Sequence, residues 1–447
     1  MVRGNALGSD CSARDLCGRN GLTGEARIPW LLLMSDGAWL TKSEVNSFYY
    51  NTVGGEIVFV TEARAGFHPG AVANLVSHHS ATLGKRAIRV LEIGANDCAF
   101  ARVLLNRLRR LIDAEASGLE RIDYLAVEYA RASLEAAADA EEQNGIEFQV
   151  RRGPPVPPFN GPPPKAALVA LLTDEGPPAV NLGLIHADAN QFVRSTSERF
   201  DFVILNELLD DMPCRAYYAG DGGRRFEAVS HARPDNGGWR VRVRPQEFGP
   251  DALGDITLAE MPPGSITARS GEGVELVSGI AELLVPGGML LLHDYGFADP
   301  FMSLEHYAGL QPSLPAYVAM EFPRGSETGF PRSFFRVFGN DRHKVVQVTN
   351  DVNFAELAAA LERRGAVTTI AHGSMILNQG GTLKKGDGVF LSEFGLLEPG
   401  DDLPTLLDDL HANQVELRAD FVREHMAGRG SVFMDIVFVR SSEQRGT

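Results

Sequence analysis

Four cysteines in 447 residues, at Cys11, Cys17, Cys98 and Cys214, form no Cys-x-x-Cys pair and have no histidine partner at zinc spacing. That excludes a disulfide framework or a zinc site and fits a reducing compartment, the cytoplasm by default. No apolar run reaches the length of a membrane span. The opening residues, MVRGNALGSDCSARDLCGRNG, lack the apolar stretch of a secretory signal, and Asp10 and Asp15 argue against a transit peptide. Basic residues are also scarce: 42 Lys and Arg face 58 Asp and Glu, a net charge of −16. Nucleic-acid binding needs clustered Lys and Arg, so neither nucleic acid nor membrane is an expected partner. A cationic substrate is easier to reconcile with this charge, although solubility is its simplest explanation.

What is present is an alternation of apolar strands and amphipathic helices. Ile88–Ile93, Ile122–Glu128, Asn181–Asp188, Arg199–Glu207 and Met289–Gly296 read as strands. Ala99–Ala114, Ala130–Gly145, Gly273–Gly288 and Val352–Gly365 read as helices. Such alternation predicts an α/β, Rossmann-like fold with a mainly parallel seven-stranded sheet and helices on both faces. A final hairpin of AVTTIAHG and Ser431–Arg440 would supply one antiparallel strand. The domain reading is a flexible tail over 1–30, a helical and β extension over the active site at 31–86, and a core formed by 87–213 and 273–440. Residues 214–272 read as an inserted substrate cap with β patterns such as Gly237–Pro245, and 441–447 as a tail. The β-rich Gly54–Glu62 falls in the extension. The proline-dense Arg151–Lys165 cannot be a helix or a central strand and reads as a surface loop.

Chemistry concentrates at the strand ends. VLEIGANDCAFARVLL (Val90–Leu105) is a strand, a tight loop and a helix start, which is how α/β folds build a nucleotide-binding edge. Its acidic-x-Gly opening goes with S-adenosylmethionine, and no Gly-x-Gly-x-x-Gly follows the strand. That ligand has a charged amino-acid end, a ribose diol and an adenine to be held over adjacent strand ends. Glu92, Gly94, Ala95 and Asn96 are the expected seat of the amino-acid end, because small residues let backbone N–H groups approach. Asn96 tolerates positive φ, whereas Cys98 is expected to replace glycine only with negative φ. A tight turn without ligand is the plainer alternative.

Glu128, followed by Tyr129, can accept two hydrogen bonds from a vicinal diol; a surface carboxylate is the alternative. Asp188-Ala189 suits adenine, or Asp188 is a helix N-cap. Asn206-Glu207 ends the strand facing the reactive methyl. Glu207 and Asp210 are the candidate catalytic pair, holding a nitrogen nucleophile and accepting its proton. Asp210 and Asp211 also suit a solvated first helical turn, the favoured reading for Asp211. His293 reads as a packed structural histidine, and no metal-ligand cluster stands out.

These strand ends, in this order, resemble the class I S-adenosyl-L-methionine-dependent methyltransferases. ILNELLDDMPCRAYY is similar, at Asn206, Glu207, Asp210 and Pro213, to the Asn-Glu-x-x-Asp-Ala-x-Pro motif of one family among them. That family is the mitochondrial complex I assembly arginine methyltransferase and its bacterial MidA-like relatives. LLLHDYG resembles its Asp-Tyr-Gly strand end, and FYYNTVGGEIVFVTE its N-terminal segment at Tyr49, Tyr50, Phe59 and Thr61. Arg336–Leu357 resembles a further block, with Asn353 where the family has Asp. Asn96 and Cys98 stand where the family has glycine, and Ala130 where a serine follows the ribose-binding acid. The resemblance implies S-adenosyl-L-methionine as cofactor and arginine in a protein or peptide as methyl acceptor. A small-molecule or natural-product acceptor stays open. So do a non-catalytic assembly factor on the same fold and the oligomeric state, a homodimer included.

Overall fold

Strand IRVLEI shows how the core is organised. Its side chains alternate, so Ile88 and Val90 enter one apolar cluster with Val72, Val76, Leu104 and Leu108, while Leu91 and Ile93 enter another with Leu276, Ile280, Leu357 and Leu361. A strand apolar on both faces must be covered on both. The computed structural model describes residues 38–53, 67–113, 118–143, 148–152, 168–172, 180–220, 224–235, 237–248, 258, 260–308, 314–321, 330–331, 333–371 and 432–441. The expected N-terminal tail, Gly54–Glu62 and residues 153–165 of the proline-dense stretch lie outside these.

In chain order the elements begin with β1 (Leu40–Thr41), α1 (Lys42–Val53), α2 (Phe67–Thr82), β2 (Ala87–Ile93), α3 (Ala99–Asp113), β3 (Arg121–Glu128) and α4 (Arg131–Gln143). Next come β4 (Phe148–Arg152), β5 (Leu168–Leu172), β6 (Val180–His186), α5 (Ala189–Ser195), β7 (Phe200–Asn206) and β8 (Arg215–Ala219). They continue with β9 (Arg225–Asp235), β10 (Gly238–Phe248), β11 (Ser265–Arg269), α6 (Gly271–Leu283), β12 (Leu284–Phe297), β13 (Met302–Ser303) and α7 (Leu304–Ala308). The last are β14 (Val318–Glu321), β15 (Phe335–Asn340), β16 (Val345–Asn350), β17 (Val352–Asn353), α8 (Phe354–Glu362), β18 (Gly365–Ala371) and β19 (Val432–Arg440).

The main sheet runs β18-β19-β12-β7-β2-β3-β6-β5-β4, with β17 beside β12. β12, β7, β2, β3 and β6 are mutually parallel. β19 lies antiparallel between β12 and β18. The expected mainly parallel seven-stranded sheet is therefore corrected to a mixed sheet of ten strands. Three strands make the difference: β4 and β5, which pair antiparallel and extend the β6 edge, and the two-residue β17 beside β12. A second sheet of seven strands, β13-β11-β8-β9-β10-β14 with β1 on β9, is antiparallel except for the β10–β14 pair. It is built largely from residues 215–269, and Trp239, Val241 and Val243 face inward along β10.

Helix α6 stops at Leu283, short of the expected Gly288. Pro286 and Gly287, the latter at φ +77°, cannot continue it, and β12 enters the sheet through a register shift between Leu284 and Met289. The α1 helix packs against α4 and β16, whose six residues are all buried. That contact brings the N-terminal helix over the ends of the parallel strands.

Candidate active site

Parallel strands end on one edge, so the terminal residues of β2, β3, β6 and β7 converge on a single cavity of about 230 Å³. All eleven candidate site residues line it: Glu92, Gly94, Ala95, Asn96, Glu128, Tyr129, Asp188, Ala189, Asn206, Glu207 and Asp210.

The Gly94–Cys98 loop is drawn onto the end of β3. Gly94 and Ala95 both donate N–H groups to Val127 O, at 2.9 and 3.2 Å. Gly94 has φ +80°, and a Cβ there would lie 2.9 Å from Leu208 Cδ1. Asn96 (φ +49°) and Cys98 (φ +58°) are left-handed as well. The expectation that Cys98 needs negative φ is thereby overturned. Its N–H closes the turn on Ala95 O at 2.7 Å, and its thiol is buried in the cluster holding Phe100 and Leu104. These contacts offset a backbone cost of about 1–2 kcal/mol.

Glu128 brackets the loop. Its Oε2 accepts the Asn96 N–H at 2.7 Å and its Oε1 the Ala130 N–H at 2.6 Å, and the Tyr129 amide also donates to this carboxylate. Burial raises its pKa while these amides oppose the rise. Glu92 is buried more deeply and is pushed up to about 8 by desolvation, although the Tyr124 hydroxyl donates to it at 2.9 Å. Asp188 accepts the Gln191 N–H at 2.9 Å and caps α5, so the capping reading holds on a carboxylate that also lines the cavity.

The segment after β7 differs from expectation. Glu207 sits at φ +48° and donates its N–H to His293 O at 2.8 Å. No helix follows; residues 209–211 form a turn. Asp294, fully buried, takes the N–H groups that a helical first turn would leave free. Its Oδ2 accepts from Leu209 at 2.8 Å and Asp210 at 3.1 Å, and its Oδ1 from Tyr295 at 2.8 Å. Pro213 removes a further donor. Asp211 is consequently not a solvated helical residue, which corrects the favoured reading. It accepts from Asn46 Nδ2 at 3.0 Å, the Tyr50 hydroxyl at 2.6 Å and Gln347 Nε2 at 2.8 Å.

Lys42 completes this surround. Its buried ammonium donates to Asp210 O, to Met212 O at 2.9 Å and to Asn350 Oδ1. Neither Lys42 nor Asn46 stood out in the sequence, and Gln347 lay unremarked inside the Arg336–Leu357 block. Tyr295 also reaches the site, its hydroxyl 3.4 Å from Glu207 Oε2. His293 does not line the cavity; it is buried with Nδ1 2.7 Å from Asp435 Oδ1.

The lining carries eight carboxyl groups, on Glu92, Asp97, Glu128, Asp188, Glu207, Asp210, Asp211 and Glu272, and no Lys, Arg or His among the described residues. Burial, with Asp294 and Asp211 beside it, holds the Asp210 carboxyl well above the usual range against the pull of Lys42. The oxygens Asn96 Oδ1, Asn206 Oδ1 and Asp210 Oδ1 are buried acceptors without a donor among the described residues. Such a wall suits a ligand that brings positive charge and several N–H or O–H donors. The sulfonium, ammonium, diol and adenine amine of S-adenosyl-L-methionine meet that description. Among the described residues no group of His, Cys, Asp and Glu is arranged to hold a metal ion.

Residues 71–370 match a family model described as "Putative S-adenosyl-L-methionine-dependent methyltransferase". No curated protein matches the chain. Similar solved structures include a superfamily protein from Burkholderia thailandensis, 19% identical over 93% of both chains with a TM-score of 0.48. Another is a superfamily member from the same organism bound to S-adenosyl-homocysteine, 17% identical over 93% of both chains, also at 0.48. The plantazolicin methyltransferase BamL, solved with a triazolic desmethylPZN analog and SAH, is 11% identical over 89% of this chain and 90% of its own, at 0.37.

Proposed function

This chain belongs to a family of S-adenosyl-L-methionine-dependent methyltransferases, and from that premise we propose that it methylates a nitrogen of a cationic acceptor, an arginine side chain in a protein or peptide. The observation that carries this reading is the cavity wall of eight carboxyl groups with no basic side chain among the described residues. A cationic acceptor would favour the ionised form of acids such as Glu92 and Asp210, which burial biases toward protonation, and an anionic or neutral acceptor would not.

When bound, S-adenosyl-L-methionine supplies an electrophilic methyl group on a positively charged sulfur. In our reading the Gly94–Asn96 loop and Glu92 hold its amino-acid end. Glu128 would take the ribose diol, and Asp188-Ala189 would meet the adenine. Asn206 and Glu207 face the acceptor, with Glu207 pairing bidentately to the guanidinium. Transfer of the methyl would break its bond to sulfur, release the neutral thioether and free one proton from the nitrogen. Asp210, whose Oδ1 is buried in the cavity wall, is the group we assign to receive that proton once the cationic acceptor draws it to the ionised form. Alignment of the nitrogen behind the methyl is the main contribution required of the protein. Residues 31–86 and the 214–272 insertion are the parts we assign to shaping the acceptor's entrance.

The test is methyl transfer from the cofactor to arginine peptides, read by mass spectrometry. Glu207→Gln should lower product formation by about 10²- to 10⁴-fold while calorimetry shows cofactor affinity retained. Wild-type turnover in Glu207→Gln would overturn the role given to Glu207. Turnover on small amines but never on peptides would move the acceptor to a small molecule.

A further inference from the structure

Helix α1 lies outside residues 71–370, yet three of its side chains reach the segment that carries the acceptor carboxylates. Lys42, Asn46 and Tyr50 are spaced i, i+4 and i+8, so they form one stripe along the helix. All three end on residues 210–212. Lys42 holds the carbonyls of Asp210 and Met212, while Asn46 and Tyr50 hold the Asp211 carboxylate. Asn46 is itself fixed to β16 by a reciprocal pair with Val348, at 2.9 and 2.8 Å. A stripe facing the interior would ordinarily be apolar. Here it is polar and buried or half-buried, with every member on the same target.

We infer that this stripe positions the acceptor-binding carboxylates, with Lys42 as its anchor. The inference rests on the roles proposed above for Glu207 and Asp210. The turn after β7 has two polar edges. Asp294 takes its N–H groups at Leu209 and Asp210, and Lys42 takes its carbonyls at Asp210 and Met212. With both edges held, Glu207 stays in its left-handed conformation, which the chain would otherwise leave.

A buried ammonium is strongly unfavourable unless it is surrounded by acceptors and opposite charge. Lys42 has both: three oxygen partners, with the carboxyl groups of Asp210 and Asp211 on the turn and Asp294 on β12 around it, and the Cys214 thiol nearby. It therefore also relieves repulsion in a wall otherwise made of acids. Asp210 in turn faces Asp294, Asp211, Glu207 and Lys42. The tyrosines at 50 and 295 border the same group. Lys42 touches neither cofactor nor acceptor in this scheme, so it is a positioning residue.

The experiment compares the full-length wild type with Lys42→Met. Hydrogen exchange read on a peptide spanning residues 207–213 needs no acceptor. Its protection should fall roughly tenfold or more, with peptides from β2 and β3 unchanged. With an arginine peptide as acceptor, kcat/KM should fall about 10- to 100-fold, while the cofactor dissociation constant stays near the wild-type value. Removing the ammonium leaves Asp210, Asp211, Asp294 and Glu207 facing one another, so the acid limb of the pH profile should move to higher pH. Lys42→Arg keeps the charge and should leave that limb near its original place, which loss of helix packing alone would not explain.

If Lys42→Met does not fold, Tyr50→Phe removes a single hydroxyl from Asp211 and should act in the same direction by about 3- to 10-fold. A folded Lys42→Met with wild-type exchange at 207–213 and an unmoved acid limb would overturn the inference. Should no peptide or amine be methylated, the acceptor reading fails while the exchange measurement still decides the role of Lys42.

Discussion

Two loops meet in the cavity, and they differ in how far their supports reach. The Gly94–Cys98 loop is fixed by its immediate surroundings: the Val127 carbonyl, the Glu128 carboxylate one strand over, and its own Ala95–Cys98 turn. The Asn206–Pro213 segment is likewise held by the neighbouring strand, through His293 O and Asp294 on β12, but it is fixed from afar as well, by Lys42, Asn46 and Tyr50 on α1 and Gln347 on β16. Both carry non-glycine residues in the left-handed region, Asn96 and Cys98 in one and Glu207 in the other. The contrast matches their proposed tasks. A seat for a shared cofactor can be local and self-contained, whereas a seat for a particular acceptor is assembled from several elements and can be retuned from any of them.

The largest expected effect tests the local loop. Glu92 has its pKa raised to about 8 in the folded state, above an unfolded value of about 4.3. The folded protein then binds this proton more tightly than the unfolded chain. The stabilising contribution is complete below the unfolded value and is lost as pH rises through about 8, a change on the order of several kcal/mol. The melting temperature of cofactor-free protein should fall from pH 5 to pH 8.5, and Glu92→Gln should flatten that fall. Equal slopes in the two proteins would remove Glu92 as its source.

Next in size is Asp294→Asn, aimed at the Asn206–Pro213 segment. An amide nitrogen would confront one or more of the N–H groups of Leu209, Asp210 and Tyr295, at a cost of about 2–3 kcal/mol. Denaturant melts should show that loss, and the acceptor KM should rise with little change in cofactor affinity. If cofactor binding weakened as much as acceptor binding, the separation between the two loops would collapse. The smallest effect is expected from Asn96→Gly, because the loop uses the Asn96 backbone and asparagine already tolerates positive φ. Stability should shift by less than about 1 kcal/mol, while cofactor affinity should fall by about 3- to 10-fold, because the substitution deletes the buried Oδ1 acceptor in the cavity wall. Unchanged affinity in titration would instead leave the Asn96 side chain out of contact with the cofactor.

Strand ends were the legible part of this protein. IRVLEI, YLAVE and FVILNE each mark a strand by their own composition, and the polar residue at each end follows from where the apolar run stops. Glu92, Glu128, Asp188 and Asn206-Glu207 therefore reach one cavity as expected. Asp211 was misplaced because LLDDMP looks like a helix start, and only Asp294, brought alongside from β12, diverts its N–H groups. The ten-stranded width escaped for a similar reason. Phe148–Arg152 and Leu168–Leu172 flank a proline-dense stretch whose composition does not say that they pair with each other. Cys98 was judged by its Cβ alone, without the core packing that holds it left-handed.

The sequence by itself determined the alternation of strands and helices and the acids at the strand ends. Those features depend on side-chain period and on neighbours a few residues apart. The tertiary structure alone decided which groups hold the segment after β7. Lys42 and Asp210 are 168 positions apart, and Gln347 and Asp211 136. A hydrogen bond across such a distance has no periodic trace in the chain. It exists only once the sheet has carried both partners to the same edge.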